Sequence, residues 1–377
     1  MKHNRTLLFV LLLSALLLSG CGPVRRAVPE RLISKAVLTG MPPNIRVFEE
    51  DYVPNIGQLS ADSSSCNFLA ISGGGANGAF GAGVLCGWTE TGVRPTFQIV
   101  TGISTGALTA PLAFIGSQCD EELRRIYTTI ESKDVFNVKS LFGVLGMLWH
   151  ESYADTKPLA DLIAKTFTDE KLAAIAREYA KGRRLYVGTT YLDAQRFMIW
   201  DMGAIASSKN PKAPALFRKV LLASAAYPGV FPPVYFDVEA EGEKYDEMHV
   251  DGGVVTGVFS HFKPFMPAEK MPDKLCNIYI IKNGKVTAEY KQVKRNSLKI
   301  LNRSFLTLMK MQTWNDLYRI YNLAEDDKIG FNYMCIPGDY VPGSRKIFDK
   351  IEMKKLFDMG FEMGKAGDKW KKTLAID

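Results

Sequence analysis

The sequence predicts an α/β fold of three layers, α/β/α, with a mainly parallel central sheet. Short apolar runs alternate with longer helical stretches, and these runs lack the period-two pattern of a half-exposed sheet. The first two runs each end in a glycine-rich turn that leads into a helix, which is the order of a strand–turn–helix unit. We expect strands at residues 68–71, 97–100, 185–190, 197–200 and 278–282.

The most specific motif follows the second of these strands and reads Gly102-Ile103-Ser104-Thr105-Gly106. The pattern G-x-S-x-G is that of a nucleophile elbow, in which the serine lies on a strained turn between a strand and a helix. The flanking glycines, Gly102 and Gly106, leave room for the crossing backbone, and the helix over 107–115 directs its positive end at the hydroxyl. The motif predicts a nucleophilic Ser104, with a simple small-residue turn as the alternative.

A second glycine-rich turn lies about thirty residues upstream, between the strand at 68–71 and a helix expected over 79–90. Consecutive glycines allow several backbone N–H groups to point into one concavity, as an oxyanion hole requires. A dinucleotide-binding G-x-G-x-x-G is the weaker alternative, because the next strand ends in the serine elbow rather than in a ribose-binding acid. The candidate oxyanion residues are Gly73, Gly74, Gly75, Ala76, Asn77 and Gly78.

The third motif is His249-Val250-Asp251-Gly252-Gly253, where a carboxylate ends a short strand before two glycines. The three motifs, in this order over residues 66–260, resemble the patatin-like phospholipase family, and the segment 223–233 is similar to the family's helix end between nucleophile and aspartate. The resemblance implies a patatin-like fold and a serine ester hydrolase that cleaves lipid carboxylic esters. It implies a Ser–Asp dyad of Ser104 and Asp251, with membrane lipids or lipid-derived esters as substrate. No cofactor is expected, and no metal either, because no C-x-x-C or His/Cys cluster suggests a metal site.

One residue departs from the family pattern. The family usually carries Lys or Arg in the glycine loop where this chain has Asn77. Asparagine donates a hydrogen bond but adds no positive charge beside a phosphate, so the acyl-hydrolase prediction stands while a phospholipid substrate is less strongly indicated. A non-catalytic envelope lipoprotein that keeps the fold and an esterase for small soluble esters remain the alternatives.

The four histidines bear on the dyad. A triad in the order Ser, Asp, His needs a histidine after its acid, and His261 alone follows Asp251, while His249 lies two residues before it. His3 and His150 precede the acid. We expect His249 and His261 to be half-exposed polar residues that take no part in catalysis.

The N-terminal residues are typical of an export signal. A positive start with Lys2 and Arg5 precedes a leucine-rich run over 7–18, which is too short to span a bilayer alone. The run ends at Leu18-Ser19-Gly20-Cys21, which resembles a bacterial lipobox with Cys21 as the lipidated residue. This predicts a lipid-anchored protein of the bacterial cell envelope, in the outer membrane and facing the periplasm or the exterior. An ordinary cleaved signal or an uncleaved anchor is the alternative.

The predicted organisation is a signal peptide at 1–20, an extended proline-bearing tether at 21–65, a catalytic domain at 66–343 and a C-terminal helical extension at 344–377. Five cysteines remain after Cys21, so at least one is unpaired, and we expect buried thiols rather than metal ligands. They are Cys66, Cys86, Cys119, Cys276 and Cys335.

Two stretches outside the motifs are unusual. Residues 282–310 contain eight basic residues and one acid, with apolar residues at helical spacing. A solvated helix packed on the core is the expectation, and a face that meets anionic head groups is the alternative. Nucleic acid is not an expected partner, because the chain has an export signal and its basic residues are not interleaved with aromatic platforms. Residues 135–149 are strongly apolar, and we expect them to be buried core; the alternative is that they wall an acyl-chain pocket or dip into the lipid interface.

Overall fold

The computed structural model describes residues 25–52, 65–138, 154–260, 275–344 and 346–374. The predicted α/β architecture is confirmed, with a ten-stranded central sheet and a separate two-stranded ribbon of β5 and β6. The strands are β1 Val37–Leu38, β2 Arg46–Phe48, β3 Ser65–Ile71, β4 Ile99–Gly102, β5 Asn137–Val138, β6 Ala154–Asp155, β7 Arg184–Tyr191, β8 Arg196–Asp201, β9 Val234–Ala240, β10 Glu243–Asp251, β11 Leu275–Lys282 and β12 Gly330–Cys335.

The sheet has a parallel half and an antiparallel half. Strands β7, β4, β3, β11 and β12 are mutually parallel neighbours in that order. Antiparallel β10, followed by β9 and β1, pairs with the later residues of β7 on the same edge as β4, while β8 and then β2 lie on the other edge of β7. Both β4 and β7 are buried along their whole length, as strands covered on both faces are expected to be.

Helices cover both faces of this sheet, so the predicted three layers are present. Alternate residues of β3 show it: Leu69 and Ile71 belong to one apolar cluster, and Phe68 and Ala70 belong to another. The helices are α1 Gly78–Glu90, α2 Thr105–Ile115, α3 Asp120–Thr129, α4 Ser132–Val135, α5 Lys157–Thr166, α6 Asp169–Ala180, α7 Met202–Ser207, α8 Ala213–Ser224, α9 Ser297–Asp326 and α10 Lys350–Ala366.

The segment expected to be a tether is instead part of the folded body over residues 25–52. Its strands β1 and β2 pair with β9 and β8. Leu32, Ile45 and Phe48 are buried, and the Arg46 guanidinium forms a buried ion pair with Glu247 of β10. Burial of these side chains stabilises the segment on the sheet more than its prolines favour an extended chain. Residues 21–24 and 53–64, like the signal peptide and Cys21, lie outside the described residues.

The cysteine prediction is partly wrong. Cys66 and Cys276 are register partners on neighbouring parallel strands β3 and β11, and they form a disulfide with Cα atoms 4.5 Å apart. Cys86, Cys119 and Cys335 are the buried free thiols that were expected. The sequence could not identify the pair, because 210 residues separate the two cysteines along the chain.

The C-terminal stretch and the apolar stretch 135–149 also had predicted structures. The predicted C-terminal helix is α10, which packs on α1 so closely that a Cβ at Gly360 would overlap the Phe80 carbonyl oxygen. Of the apolar stretch 135–149, residues 139–149 lie outside the described residues. In the part of the chain that the structure describes, we find no helix long and apolar enough to cross a bilayer.

Candidate active site

The three motifs meet where β3, β4 and β10 end. The register of β7 explains how an aspartate 147 residues away reaches the serine elbow. Residues 184–187 of β7 pair with β4, and residues 189–191 pair with β10, so β10 takes the place beside β7 that β4 leaves after Gly102. Asp251 is the last residue of β10 and is opposite Thr189. The chain turn that carries Ser104 and the end of β10 are therefore adjacent.

Ser104 has the backbone conformation of a strained elbow, with φ 55° and ψ −125°. A non-glycine residue at positive φ costs free energy and persists only where its surroundings fix it. The glycines on both sides are required by close approach: a Cβ at Gly102 would overlap the Gly106 carbonyl oxygen, and a Cβ at Gly106 would overlap the Ile71 carbonyl oxygen. Ser104 is half-buried at the start of α2.

Asp251 is buried, and its two carboxylate oxygens have different surroundings. Oδ1 accepts a hydrogen bond from the Gly253 N–H at 2.8 Å, whereas no described residue donates a hydrogen bond of normal geometry to Oδ2. Burial raises the pKa of Asp251 to about 6, although hydrogen bonding by the Ser104 side chain and by the Gly253 N–H acts in the opposite direction. The Ser104 side chain thus lies beside the Asp251 carboxylate, which binds a proton more readily than an ordinary aspartate does.

The glycine loop lies directly against Ser104. A Cβ at Gly73 would be 3.2 Å from the Ser104 Cβ and 3.9 Å from Oγ. The Gly73 N–H donates to the Gly257 carbonyl at 3.3 Å, and the Asn77 N–H donates to the Gly74 carbonyl at 3.1 Å. Among the described residues no acceptor is assigned to the N–H groups of Gly74 and Gly75. The donors that can face a ligand are therefore fewer than the six residues of the sequence motif.

Two residues that hold the site were not singled out from the sequence. The Ser224 hydroxyl accepts from the Ser104 N–H, and Asn283 fixes the glycine loop. The Asn283 N–H donates to Ser72 Oγ at 2.9 Å, its Nδ2 donates to the Ser72 carbonyl at 2.9 Å, and its Oδ1 accepts from the Gly81 N–H at 3.0 Å. The available signal was position: Asn283 directly follows the strand predicted at 278–282.

His249 is fully buried, so the expectation of a half-exposed residue is wrong. Its Nδ1 is 2.9 Å from the Thr189 hydroxyl, its Nε2 is 3.4 Å from Glu247, and its ring stacks on Tyr191. Burial lowers the pKa of His249, which favours a neutral ring. Neither ring nitrogen is bonded to Ser104 or Asp251. His261 lies outside the described residues.

Within the described ranges, no group of three or more histidine, cysteine or acidic side chains is arranged to hold a metal ion. A second buried carboxylate is linked to the glycine loop through Gly257: Oδ2 of Asp316 on α9 accepts a hydrogen bond from the Gly257 N–H at 2.7 Å. Burial raises the pKa of Asp316 to about 6. The Asp316 carboxylate thus positions the backbone next to the glycine loop, because the Gly257 carbonyl in turn accepts a hydrogen bond from the Gly73 N–H.

The fold and the site define an α/β protein with a serine elbow, a glycine-rich donor loop and a buried aspartate. The family model for patatin-like phospholipases matches residues 69–260, slightly more than half of the chain, and the chain belongs to that family. Lipid acyl hydrolase activity is, in general, the activity of that family.

Among solved structures, the chain is similar to the crystal structure of VipD from Legionella pneumophila. The two are 12% identical with a TM-score of 0.41, and the alignment covers 80% of this chain and 66% of that one. No curated protein matches the chain significantly.

Proposed function

We propose that this protein hydrolyses carboxylic esters of lipids with Ser104 as nucleophile and Asp251 as general base. One observation carries the proposal: the Ser104 side chain adjoins a buried carboxylate whose Oδ2 is otherwise unpaired. A buried, incompletely paired carboxylate is costly, and proteins keep such groups where chemistry needs them.

The proposed reaction has two halves. Asp251 accepts the proton of Ser104 Oγ as this oxygen attacks the ester carbonyl carbon, and the N–H groups of Gly74 and Gly75 hold the resulting oxyanion. Collapse of the intermediate releases the alcohol, which takes the proton from Asp251 and leaves an acyl group on Ser104. Water then attacks this acyl-enzyme with Asp251 again as base, and the fatty acid leaves as Ser104 regains its proton.

The environment of Asp251 supports this role. An aspartate at its ordinary pKa of 3.8 is a poor base for an alcohol. Burial raises the pKa of Asp251 to about 6, which brings the base closer to the working range of a neutral solution. Contact with Ser104 and fixed backbone donors supply positioning, which is the larger contribution in catalysis of this kind.

The site gives less information about the head group of the lipid substrate. Asn77 ends the short helical turn Gly75–Asn77 and brings no positive charge to the glycine loop. We therefore propose the ester carbonyl and acyl chain, rather than a phosphate, as the part of the substrate that the loop recognises.

A direct test measures fatty acid release from mixed micelles of defined lipids by the full chain and by Ser104→Ala. We expect the variant to lose at least about 10³-fold in kcat, because loss of a nucleophile leaves only binding and the oxyanion donors. Ser117→Ala, an exposed serine in the turn after α2, is the matched control and keeps full activity. Wild-type protein that binds lipid without releasing fatty acid contradicts the proposal and favours the non-catalytic envelope lipoprotein. Activity that shows no rise when the substrate forms micelles favours the soluble-substrate esterase.

We also propose that Cys21 carries the lipid anchor and that the protein works at the bacterial envelope, in the outer membrane facing the periplasm or the exterior. The lipobox-like sequence supports this, and the disulfide between Cys66 and Cys276 fits an oxidising compartment. Mass spectrometry of the mature N-terminus after membrane fractionation tests it. A diacylated Cys21 at the N-terminus is the expected result, and cleavage elsewhere or an unmodified thiol overturns it.

A further inference from the structure

The first half of α9 is largely exposed to solvent. Thr313 and Leu317 are buried, but Leu306, two turns before Thr313 on the same helix face, is 43% exposed. Large apolar side chains are exposed all along this half and the loop before it, far more densely than on an ordinary protein surface. They are Tyr290, Val293, Leu298, Ile300, Leu301, Leu306, Leu308 and Met311.

Basic residues accompany these apolar ones. Glu289 is the single acid between residues 282 and 310, and it is paired with Lys310 at 2.8 Å. Four basic residues of the region are exposed, and no ion pair is assigned to them among the described residues: Lys291, Lys294, Arg295 and Lys299. We call these four and the eight exposed apolar residues together the α9 surface.

Other side chains of the same helix, outside the α9 surface, contact the candidate active site. A Cβ at Gly253, two residues after Asp251, would be 3.1 Å from Met309 Cε. The ring of Phe305 packs edge-on against Tyr227 with centroids 5.7 Å apart, and the charge of Asp251 contributes to the raised pKa of Tyr227. Met309 of α9 therefore contacts the turn that follows Asp251, and Phe305 of α9 contacts Tyr227, which lies close to Asp251.

We propose that the α9 surface docks onto an anionic lipid bilayer and brings the Ser104–Asp251 site to the membrane surface. Exposed apolar side chains bury in the head-group boundary, and lysine and arginine beside them attract anionic head groups. A second copy of the chain is a poorer occupant, because a two-fold contact would place the same uncompensated positive charges against each other. This inference rests on the proposed function for its purpose, but membrane docking is measurable without catalysis.

Insertion is tested with the full chain reconstituted into vesicles of phosphatidylglycerol and phosphatidylcholine. A polarity-sensitive fluorophore is attached to Leu301→Cys, with Ile351→Cys on α10 as matched control and the unsubstituted chain as blank. Leu301 and Ile351 are 67% and 71% exposed, and the native Cys86, Cys119 and Cys335 are buried. We expect a blue shift, and quenching by brominated lipid, at position 301 alone. No shift at 301, equal shifts at both positions, or an equal shift in pure phosphatidylcholine overturns the docking proposal.

A kinetic measurement separates docking from chemistry. The triple variant Leu298→Ser/Leu301→Ser/Leu308→Ser should lose about tenfold or more in rate on anionic vesicles, because three buried apolar anchors are removed. Its rate on a short-chain water-soluble ester should be unchanged, and Ile351→Ser should match the wild type on both. Equal rates of the triple variant and wild type on vesicles contradict docking, as does a wild-type dimer that the triple variant dissociates. Wild type inactive on every ester contradicts the proposed function instead, and the fluorophore result then decides docking alone.

Discussion

The backbone N–H of Ser104 donates a hydrogen bond to the Ser224 hydroxyl at 3.0 Å, and that hydroxyl donates to the Gly188 carbonyl at 2.7 Å. Ser224 is the buried last residue of α8, and its hydroxyl thus connects the elbow after β4 to β7. The contact helps to hold Ser104 at its positive φ, because the Ser104 N–H would lose this acceptor if the Ser224 hydroxyl were removed.

The first prediction is that Ser224→Ala lowers kcat by about 10–100-fold with little change in KM, because a loosened nucleophile affects the reaction more than lipid binding. The measurement is steady-state kinetics on micelles, with thermal unfolding to verify the fold. Ser224→Thr, which keeps the hydroxyl, should recover part of the loss in kcat. An unchanged kcat, or a change confined to KM, would contradict a positioning role for Ser224.

The second prediction concerns Asp251. Activity should fall with an apparent pKa near 6 as the pH is lowered, because the base must be ionised and burial raises its pKa to about 6. Asp251→Asn should abolish hydrolysis, because an amide cannot accept the Ser104 proton. A pH profile of kcat/KM that stays flat between pH 5 and pH 8 contradicts this role for Asp251.

A third prediction links the same residue to stability. The pKa of Asp251 is higher in the folded chain than its ordinary value of 3.8, so the folded state holds the proton more tightly and the charged form destabilises the fold above about pH 6. Asp251→Asn, whose amide oxygen can still accept from Gly253, should therefore raise Tm at pH 8 and change it less at pH 4. A lower Tm at pH 8 would show that the ionised carboxylate stabilises the fold.

The fourth prediction separates structure from catalysis at His249. His249→Ala should lower Tm by several degrees, because it removes a buried ring that stacks on Tyr191 and bonds to Thr189. The rate per fluorophosphonate-titrated site should remain within about threefold of the wild type, since a lost triad histidine would cost about 10⁴-fold. A loss on that larger scale would make His249 part of a triad. His261→Ala should likewise keep its activity.

The fifth prediction compares two buried asparagines that follow or lie within strands. Asn283→Ala should lower kcat about 10²-fold, because it releases the glycine loop that carries the proposed oxyanion donors. Asn332→Ala is the matched control: its Nδ2 donates to the Ile278 and Gly330 carbonyls, away from the loop. Comparable losses of Tm with a loss of kcat in Asn283→Ala alone support the positioning role, and equal kcat in the two variants contradicts it.

Local signals predicted the motif-bearing part of the fold. The buried strands β3, β4 and β7 each contain a short run rich in apolar and β-branched residues, and the glycines beside Ser104 are required by the close approach of backbone. Such features depend on neighbours along the chain, so a single sequence contains them. The antiparallel additions were missed because β1 and β2 are two and three residues long and pair with strands about 150 to 200 residues away.

Long-range partners account for what the sequence could not show at the site. Ser224 meets Ser104 across 120 residues, and Asn283 meets Ser72 across 211. Glu247 and Arg46, separated by 201 residues, form the ion pair beside which His249 is buried. These contacts follow from sheet order, which the local pattern of apolar and polar residues does not specify.

Peptide mapping of the full chain after reaction with a lipid-like fluorophosphonate tests most directly whether Ser104 is the nucleophile. Ser104 is the half-buried serine beside the unpaired oxygen of Asp251, so we expect a single covalent adduct on the peptide that contains it. The adduct should form slowly or not at all in Asp251→Asn, which keeps the serine but lacks the base. An adduct on another residue, or no adduct on folded wild-type protein, would contradict the assignment of Ser104 as the nucleophile.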